Sequence, residues 1–377
     1  MSIPIIDLFA GAGGLGLGAI NAGGDLRLSV EIDKLACESM ESNSKYHIGK
    51  VLCEDVATLN GKKLREQANL NKNEPFIMVG GPPCQPFSKA SYWTDPGNDS
   101  KYRRARSLGI EMAKPQAIIE AKPDERRSLI QEYFRLIEES NPEGFLFENV
   151  PSILHPRNKQ TFFDFKDAVE SIGFKTRLCK VNGLDFGLAQ KRQRIILLGL
   201  KGEVPPEPLK THSDSLSDLS NGLKPYLKAG DVLSPFQTDE YFEPEEVVEG
   251  KWARHLREIP PGMNYKALTE WAGHPNPTFV AETRFWNFLL KLHPEEVSWT
   301  IAANPGPWTG PFHWDSRRLR TVELAVLQGF PPNYVFAGKR RDRVKQIGNA
   351  LPSNIASGCL QPLINKIESK NSSLIAI

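Results

Sequence analysis

The chain of 377 residues reads as an α/β protein built on a doubly wound, mostly parallel sheet. Three observations predict this. Short apolar runs alternate with helical stretches over the first two hundred residues. The first run stops in a glycine-rich turn that opens a helix. Beyond Leu200 the alternation ends and prolines take over, setting off a second, irregular unit.

Ile3–Phe9 is a buried strand, and the helix behind its glycines runs to about Ala22. Leu26–Glu31 is a second strand and Lys34–Asn43 a second helix. Val51–Cys53 and Phe76–Val79 are the third and fourth strands, the latter ended by Gly80-Gly81-Pro82-Pro83. Ser128–Ser140 sets Leu129, Tyr133, Leu136 and Ile137 on one face, as a helix does. Phe145–Phe147 is the fifth strand and Asp164–Ser171 another helix. Lys175–Val181 and Arg194–Leu200 close the sheet. Pro205, Pro206 and Pro208 then break regular structure. Little periodicity follows up to about Ser316, where Trp252, Tyr265, Trp271, Phe285, Trp286 and Trp308 are scattered. The divisions are 1–200, 201–330, and a segment 331–377 that returns to the first unit. Ser88–Arg127 is a long polar stretch between a strand end and a helix. Loops of that length are uncommon unless functional or disordered, and both readings stay open here.

Composition excludes several classes. No apolar run can span a bilayer. The apolar N-terminus lacks a basic leader and carries Asp7 and many glycines, so it reads as strand and turn, not as a signal peptide. Five cysteines (Cys37, Cys53, Cys84, Cys179, Cys359) contain no Cys-x-x-Cys pair. Neither a disulfide framework nor a metal site is expected, and a reducing cytoplasm fits. The net charge is only +2, but residues 317–345 hold eight Lys/Arg against Glu323 and Asp342, while Asp239–Glu249 is strongly acidic. Such a basic cluster suits phosphate, and an ordinary solvated face looks the same.

Three motifs carry chemistry. Asp7-Leu8-Phe9-Ala10-Gly11-Ala12-Gly13-Gly14 joins strand to helix, and Gly11, Gly13 and Gly16 satisfy G-x-G-x-x-G. Glu31 follows at the distance of a ribose-binding acid. NAD, a flavin or S-adenosylmethionine would each fit. Gly80-Gly81-Pro82-Pro83-Cys84-Gln85 sets a cysteine in a stiff loop at the carboxyl edge of the sheet, where open α/β sheets bind ligands. Most free cysteines are small buried hydrophobes, which suits the other four; the loop sets Cys84 apart. Glu148-Asn149-Val150 places an acid at a buried strand end, where a structural pair and a working carboxylate are equally good readings.

In this order the three motifs resemble the cytosine-5 DNA methyltransferase family. Gln190-Lys191-Arg192-Gln193-Arg194, Leu327-Gln328-Gly329-Phe330-Pro331 and Gln346-Ile347-Gly348-Asn349-Ala350-Leu351-Pro352 match later members of its motif series. The resemblance covers roughly 1–200 and 317–360. It implies a Rossmann-like S-adenosylmethionine-dependent methyltransferase sheet over 1–200, a smaller irregular target-recognition domain over 201–330, and a returning C-terminal segment. It implies S-adenosyl-L-methionine held by Phe9, Gly11, Gly13, Glu31, Ile32, Asp55, Val56, Leu129, Asn349 and Ala350. The implied catalytic residues are Cys84, Glu148, Arg192 and Arg194. Cys84 would add to carbon 6 of cytosine so that carbon 5 can take a methyl group. Glu148 would hold or protonate ring nitrogen 3, and Arg194, supported by Arg192, would balance charge. The partner implied is double-stranded DNA with its target base flipped out. The segment Ser88–Arg127, with Lys89, Lys101, Arg103, Arg104 and Arg106, would close over it. Family habit adds a restriction endonuclease for the same site, action as a monomer, and a cytoplasmic, nucleoid-associated place.

Two departures stand out. The usual Arg-x-Leu-Thr reads Arg317-Arg318-Leu319-Arg320, and Val322 replaces the arginine before Glu323. Polar contacts supporting the recognition domain are expected to differ there. The tRNA-methylating branch of the family is a weaker reading, because its Cys-Phe-Thr signature is missing. An NAD oxidoreductase leaves Pro-Pro-Cys-Gln and Glu-Asn-Val unexplained.

Overall fold

The computed structural model describes residues 2–87, 98–115 and 124–375. Seven strands form one sheet: β1 (Pro4–Leu8), β2 (Asp25–Glu31), β3 (Lys50–Cys53), β4 (Ile77–Gly80), β5 (Gly144–Asn149), β6 (Phe174–Asn182) and β7 (Gln193–Lys201). Their order is β3-β2-β1-β4-β5-β7-β6. The first five are parallel, and β7 inserts antiparallel between β5 and β6. The chain reverses direction across the sheet between β1 and β4. That switch point gathers the β1, β4 and β5 ends at one edge, where such sheets bind ligands.

Alternate residues feed two cores, as a period of two requires. Ile5, Val79, Leu146 and Leu198 face one side with α1 (Gly14–Asn21) and the C-terminal helix; Ile6, Met78, Phe145 and Leu197 face the other. The second face is covered by α3 (Gly61–Gln67), α5 (Leu129–Ser140) and α6 (Lys159–Ser171); α2 (Lys34–Ser42) leads into β3, and α4 (Asn98–Ser107) lies within the long polar segment. Three helices follow the irregular region: α7 (Thr321–Leu327), α8 (Arg340–Asn349) and α9 (Ser353–Ile375). The glycines of α1 serve packing: a Cβ on Gly18 would lie 2.4 Å from Ala356 Cβ, so α9 can approach only a bare backbone.

Between β7 and α7 the chain builds its own small core from Leu256, Tyr265, Leu268, Phe279, Leu289 and Phe312. Its acidic stretch folds onto the basic cluster. Arg320 pairs with Glu246, Arg340 with Glu243 at 2.6 Å, and Arg317 with Glu323 at 2.6 Å. Much of the positive charge noted in the sequence is thus neutralised within the chain. Arg320, which departs from the family pattern, has Glu246 as its buried counter-charge.

Candidate active site

The site is built from strand ends. β1 stops at Leu8, and Phe9 takes φ 57°, a left-handed conformation that costs a bulky residue energy and is held by its surroundings. Gly11 at φ 55° and Gly13 at φ 82° complete the turn. At the end of β2, Glu31 braces it: Oε2 accepts the Gly11 amide at 2.7 Å, and Oε1 accepts those of Ile32 and Asp33, each at 2.9 Å. Asp7 is fully buried behind the turn, and burial holds its carboxyl well above the usual range.

The cysteine loop is pinned from three directions. Asn149 Nδ2 donates to Pro82 O at 3.2 Å, Arg127 Nη2 to Pro86 O at 3.1 Å, and the Phe87 amide to Cys84 O at 3.0 Å. A Cβ on Gly81 would sit 2.9 Å from Glu148 Oε2, so a larger residue there would displace that carboxylate. Cys84 is half-buried. Glu148 is paired across the sheet: Arg194 Nε lies 2.7 Å from its Oε1. Opposite Glu148 in the antiparallel ladder is Ile196, so Arg194, two residues away, points to the same face.

Burial pushes the Glu148 carboxyl up, opposed by Arg194 and Arg192. Burial, then the Glu148 charge, pushes the Cys84 thiol up, again opposed by the two arginines. At rest the site therefore favours a neutral thiol. A thiol held in this way reacts as a nucleophile only once its proton is removed.

One cavity of about 420 Å³ collects these parts. Phe9, Gly11, Glu31, Ile32, Asp55, Val56, Leu129, Asn349 and Ala350 line it together with Cys84 and Glu148. Ile32, 64% exposed, offers a bare apolar surface for a flat ring. Three predicted residues do not line it: Arg194, which holds Glu148 at 2.7 Å, Gly13 and Arg192. Gly13 lies behind the cavity wall, where His47 Nε2 approaches its carbonyl at 3.1 Å. Arg192 is fully buried and donates to the carbonyls of Ile301, Gly348 and Ala350, tying the irregular region to the α8 end of the pocket. Lys89 lies outside the described residues, and Lys101, Arg104 and Arg106 are exposed on α4. Arg126 carries no motif signal of its own in the sequence beyond a D-x-R step just before α5. It also lines the cavity, held by Asp124 at 2.6 Å. Among the described residues no His/Cys/Asp/Glu cluster could hold a metal ion.

A glycine turn with an acid-braced amide, an exposed apolar side chain and a cysteine lining the same cavity define the class: an α/β S-adenosylmethionine-dependent methyltransferase. The model of C-5 cytosine-specific DNA methylases matches residues 3–365, and the chain belongs to that family. It is a DNA (cytosine-5) methyltransferase that uses S-adenosyl-L-methionine. It is similar to the Type II methyltransferase M.SacI of Streptomyces achromogenes, 31% identical over 97% of this chain and 93% of that one. It is also similar to M1.HphI of Haemophilus parahaemolyticus, 29% identical over 97% and 87%. Its fold resembles that of a prophage-encoded DNA modification methyltransferase from E. coli, with TM-score 0.65, 20% identity, and coverage of 97% of this chain and 100% of that one.

Proposed function

We propose that the enzyme methylates carbon 5 of a flipped-out cytosine, within a specific duplex sequence, through a transient bond from Cys84 Sγ to carbon 6. The observation that carries this reading is the shared cavity: Cys84 and the Arg194-held Glu148 line the space whose other end is the Glu31-braced turn. When bound, S-adenosylmethionine supplies the methyl group. Phe9, Glu31, Ile32, Asp55, Val56, Leu129, Asn349 and Ala350 orient it, and Gly11 and Gly13 shape the turn that admits it.

The residues divide the work. Cys84 attacks carbon 6, the carbon 5–carbon 6 π electrons move into the ring, and carbon 5 becomes nucleophilic. Glu148 donates or shares a proton at ring nitrogen 3, which receives the developing charge. Arg194 holds Glu148 in line and offsets charge near the ring oxygen, while Arg192 anchors the strand start behind it. After transfer, water takes the carbon 5 proton and the bond from carbon 6 to Sγ breaks, its electron pair leaving with Cys84 as the thiolate. Flipping costs a few kcal/mol, and α4, with Lys101, Arg104 and Arg106, supplies cations for the displaced strand. Residues 201–330 read the target by base-edge contacts. On this reading the enzyme acts as a monomer at the nucleoid, beside a restriction endonuclease of the same specificity.

Tritiated S-adenosylmethionine and mixed-sequence duplex DNA test this directly. Label enters DNA with the wild type and vanishes with Cys84→Ser. Label confined to tRNA, or DNA labelling unchanged in the variant, refutes it.

A further inference from the structure

Behind α8, away from the cofactor pocket, lies a second cavity of about 440 Å³. Lys345, Gln346 and Asn349 face the first cavity, and Arg340, Arg341 and Val344 the second. At 3.6 residues per turn these sets occupy opposite sides of one helix, which forms a common wall.

The floor of the second cavity is apolar, with Ile301, Phe312, Leu319 and Leu324 buried. Its rim is cationic: Arg318, Arg340 and Arg341 line it, and among the described residues no carboxylate does. Arg340 is balanced by Glu243. Arg318 donates to the carbonyls of Glu245 and Val247, which carry no formal charge. Burial and the neighbouring Arg340 push its guanidinium below its usual range, so an anion there would be favoured. Arg341 is exposed and makes no ion pair among the described residues. Two guanidiniums above an apolar floor complement a flat ring joined to an anionic group, and a guanidinium matches phosphate oxygens in a fork.

We propose that this cavity takes a nucleotide unit, its phosphate against Arg341 and Arg318 and its base over the Leu319–Leu324 floor. The nucleotide belongs to the DNA strand held beside the active site, which rests on the function proposed above; a free nucleotide offers the same chemistry. The test uses the full chain as wild type, Arg341→Ala and Arg341→Lys. Arg341 faces away from the cofactor pocket, so S-adenosylmethionine binding by calorimetry stays within about twofold in both variants, marking them as folded.

Each protein is titrated with mixed-sequence duplex DNA at about 50 to 200 mM salt, and separately with deoxycytidine monophosphate. The slope of log K against log salt flattens by about 0.9 in Arg341→Ala and is retained in Arg341→Lys, as loss of one phosphate contact requires. If only the monophosphate loses affinity, tenfold or more, the anion site stands and its occupant is a free nucleotide. An unchanged slope together with no Arg341-dependent nucleotide binding overturns the proposal. A wild type that binds no duplex at all sinks the DNA reading instead, and the nucleotide titration alone then decides the site.

Discussion

Replacing Glu148 by glutamine keeps its size and an oxygen for the 2.7 Å contact from Arg194, but removes both the charge and the acid. Losing a positioned acid slows a reaction by about 10²–10⁴, or about 2.7–5.4 kcal/mol at 1.36 kcal/mol per decade. Stability falls less than the roughly 3–5 kcal/mol of a broken buried pair, because the contact survives as a hydrogen bond. The thiol moves the other way. In the wild type the Glu148 charge helps push Cys84 up while Arg192 and Arg194 pull it down. With the charge gone and both arginines kept, the Cys84 pKa falls and its thiolate fraction at neutral pH rises. The alkaline-rising limb of methylation in the wild type shifts to lower pH in the variant. Methyl transfer is read by single-turnover incorporation of tritium into duplex DNA, and thiol reactivity by iodoacetamide labelling of Cys84 followed by peptide mass spectrometry. The expected result is slower methylation with faster alkylation. Methylation within tenfold of wild type, or slower alkylation of Cys84, refutes the assigned roles.

Two further substitutions probe the cofactor end and the frame. Glu31→Ala removes the acceptor for the Gly11, Ile32 and Asp33 amides. At about 1.5–3 kcal/mol for a hydrogen bond to a charged group, the KM for S-adenosylmethionine rises by roughly 10–100-fold while kcat at saturation changes little; a fall in kcat alone would contradict the bracing role. Arg320→Thr restores the family's usual residue but strands Glu246. Arg317, 3.9 Å from the same carboxylate, keeps part of the balance, so the loss lies near the low end for buried pairs, about 3 kcal/mol. Chemical denaturation reads it, and an unchanged midpoint would show the pair to be dispensable.

Much of this architecture was legible in the residues. Alternating apolar runs placed all seven strands to within a few residues, because all but the edge strand β3 bury residues on one or both faces and show it in composition. The motif order located both ends of the cavity. Other features depend on distant partners and left little local trace. α9 carries Pro362 within it, and its apolar face is buried against α1 and the sheet through Ala356, Leu360, Leu363 and Ile367. The acidic stretch at Asp239–Glu249 and the arginines of 317–345 looked like separate charged surfaces; folding joins them through Arg320–Glu246 and Arg340–Glu243. Arg192 just precedes β7 and Arg194 lies on it, yet one anchors backbone carbonyls and the other holds Glu148, a division set by their neighbours in space. Gly13 fitted a ligand-binding pattern, while its Cβ direction is filled by the His47 ring at 2.0 Å.

Methylation through Cys84 requires a transient bond between its Sγ and cytosine. Fluorine at carbon 5 cannot leave as a proton does, so the elimination that frees the enzyme is blocked once methyl transfer has occurred. Incubation with S-adenosylmethionine and duplex DNA carrying 5-fluorocytosine at the methylated site should yield a denaturation-resistant complex. Peptide mass spectrometry should place the nucleotide on Cys84, and Cys84→Ser should form none. Methylation-competent enzyme that gives no adduct on such DNA, or an adduct on another residue, would contradict the account.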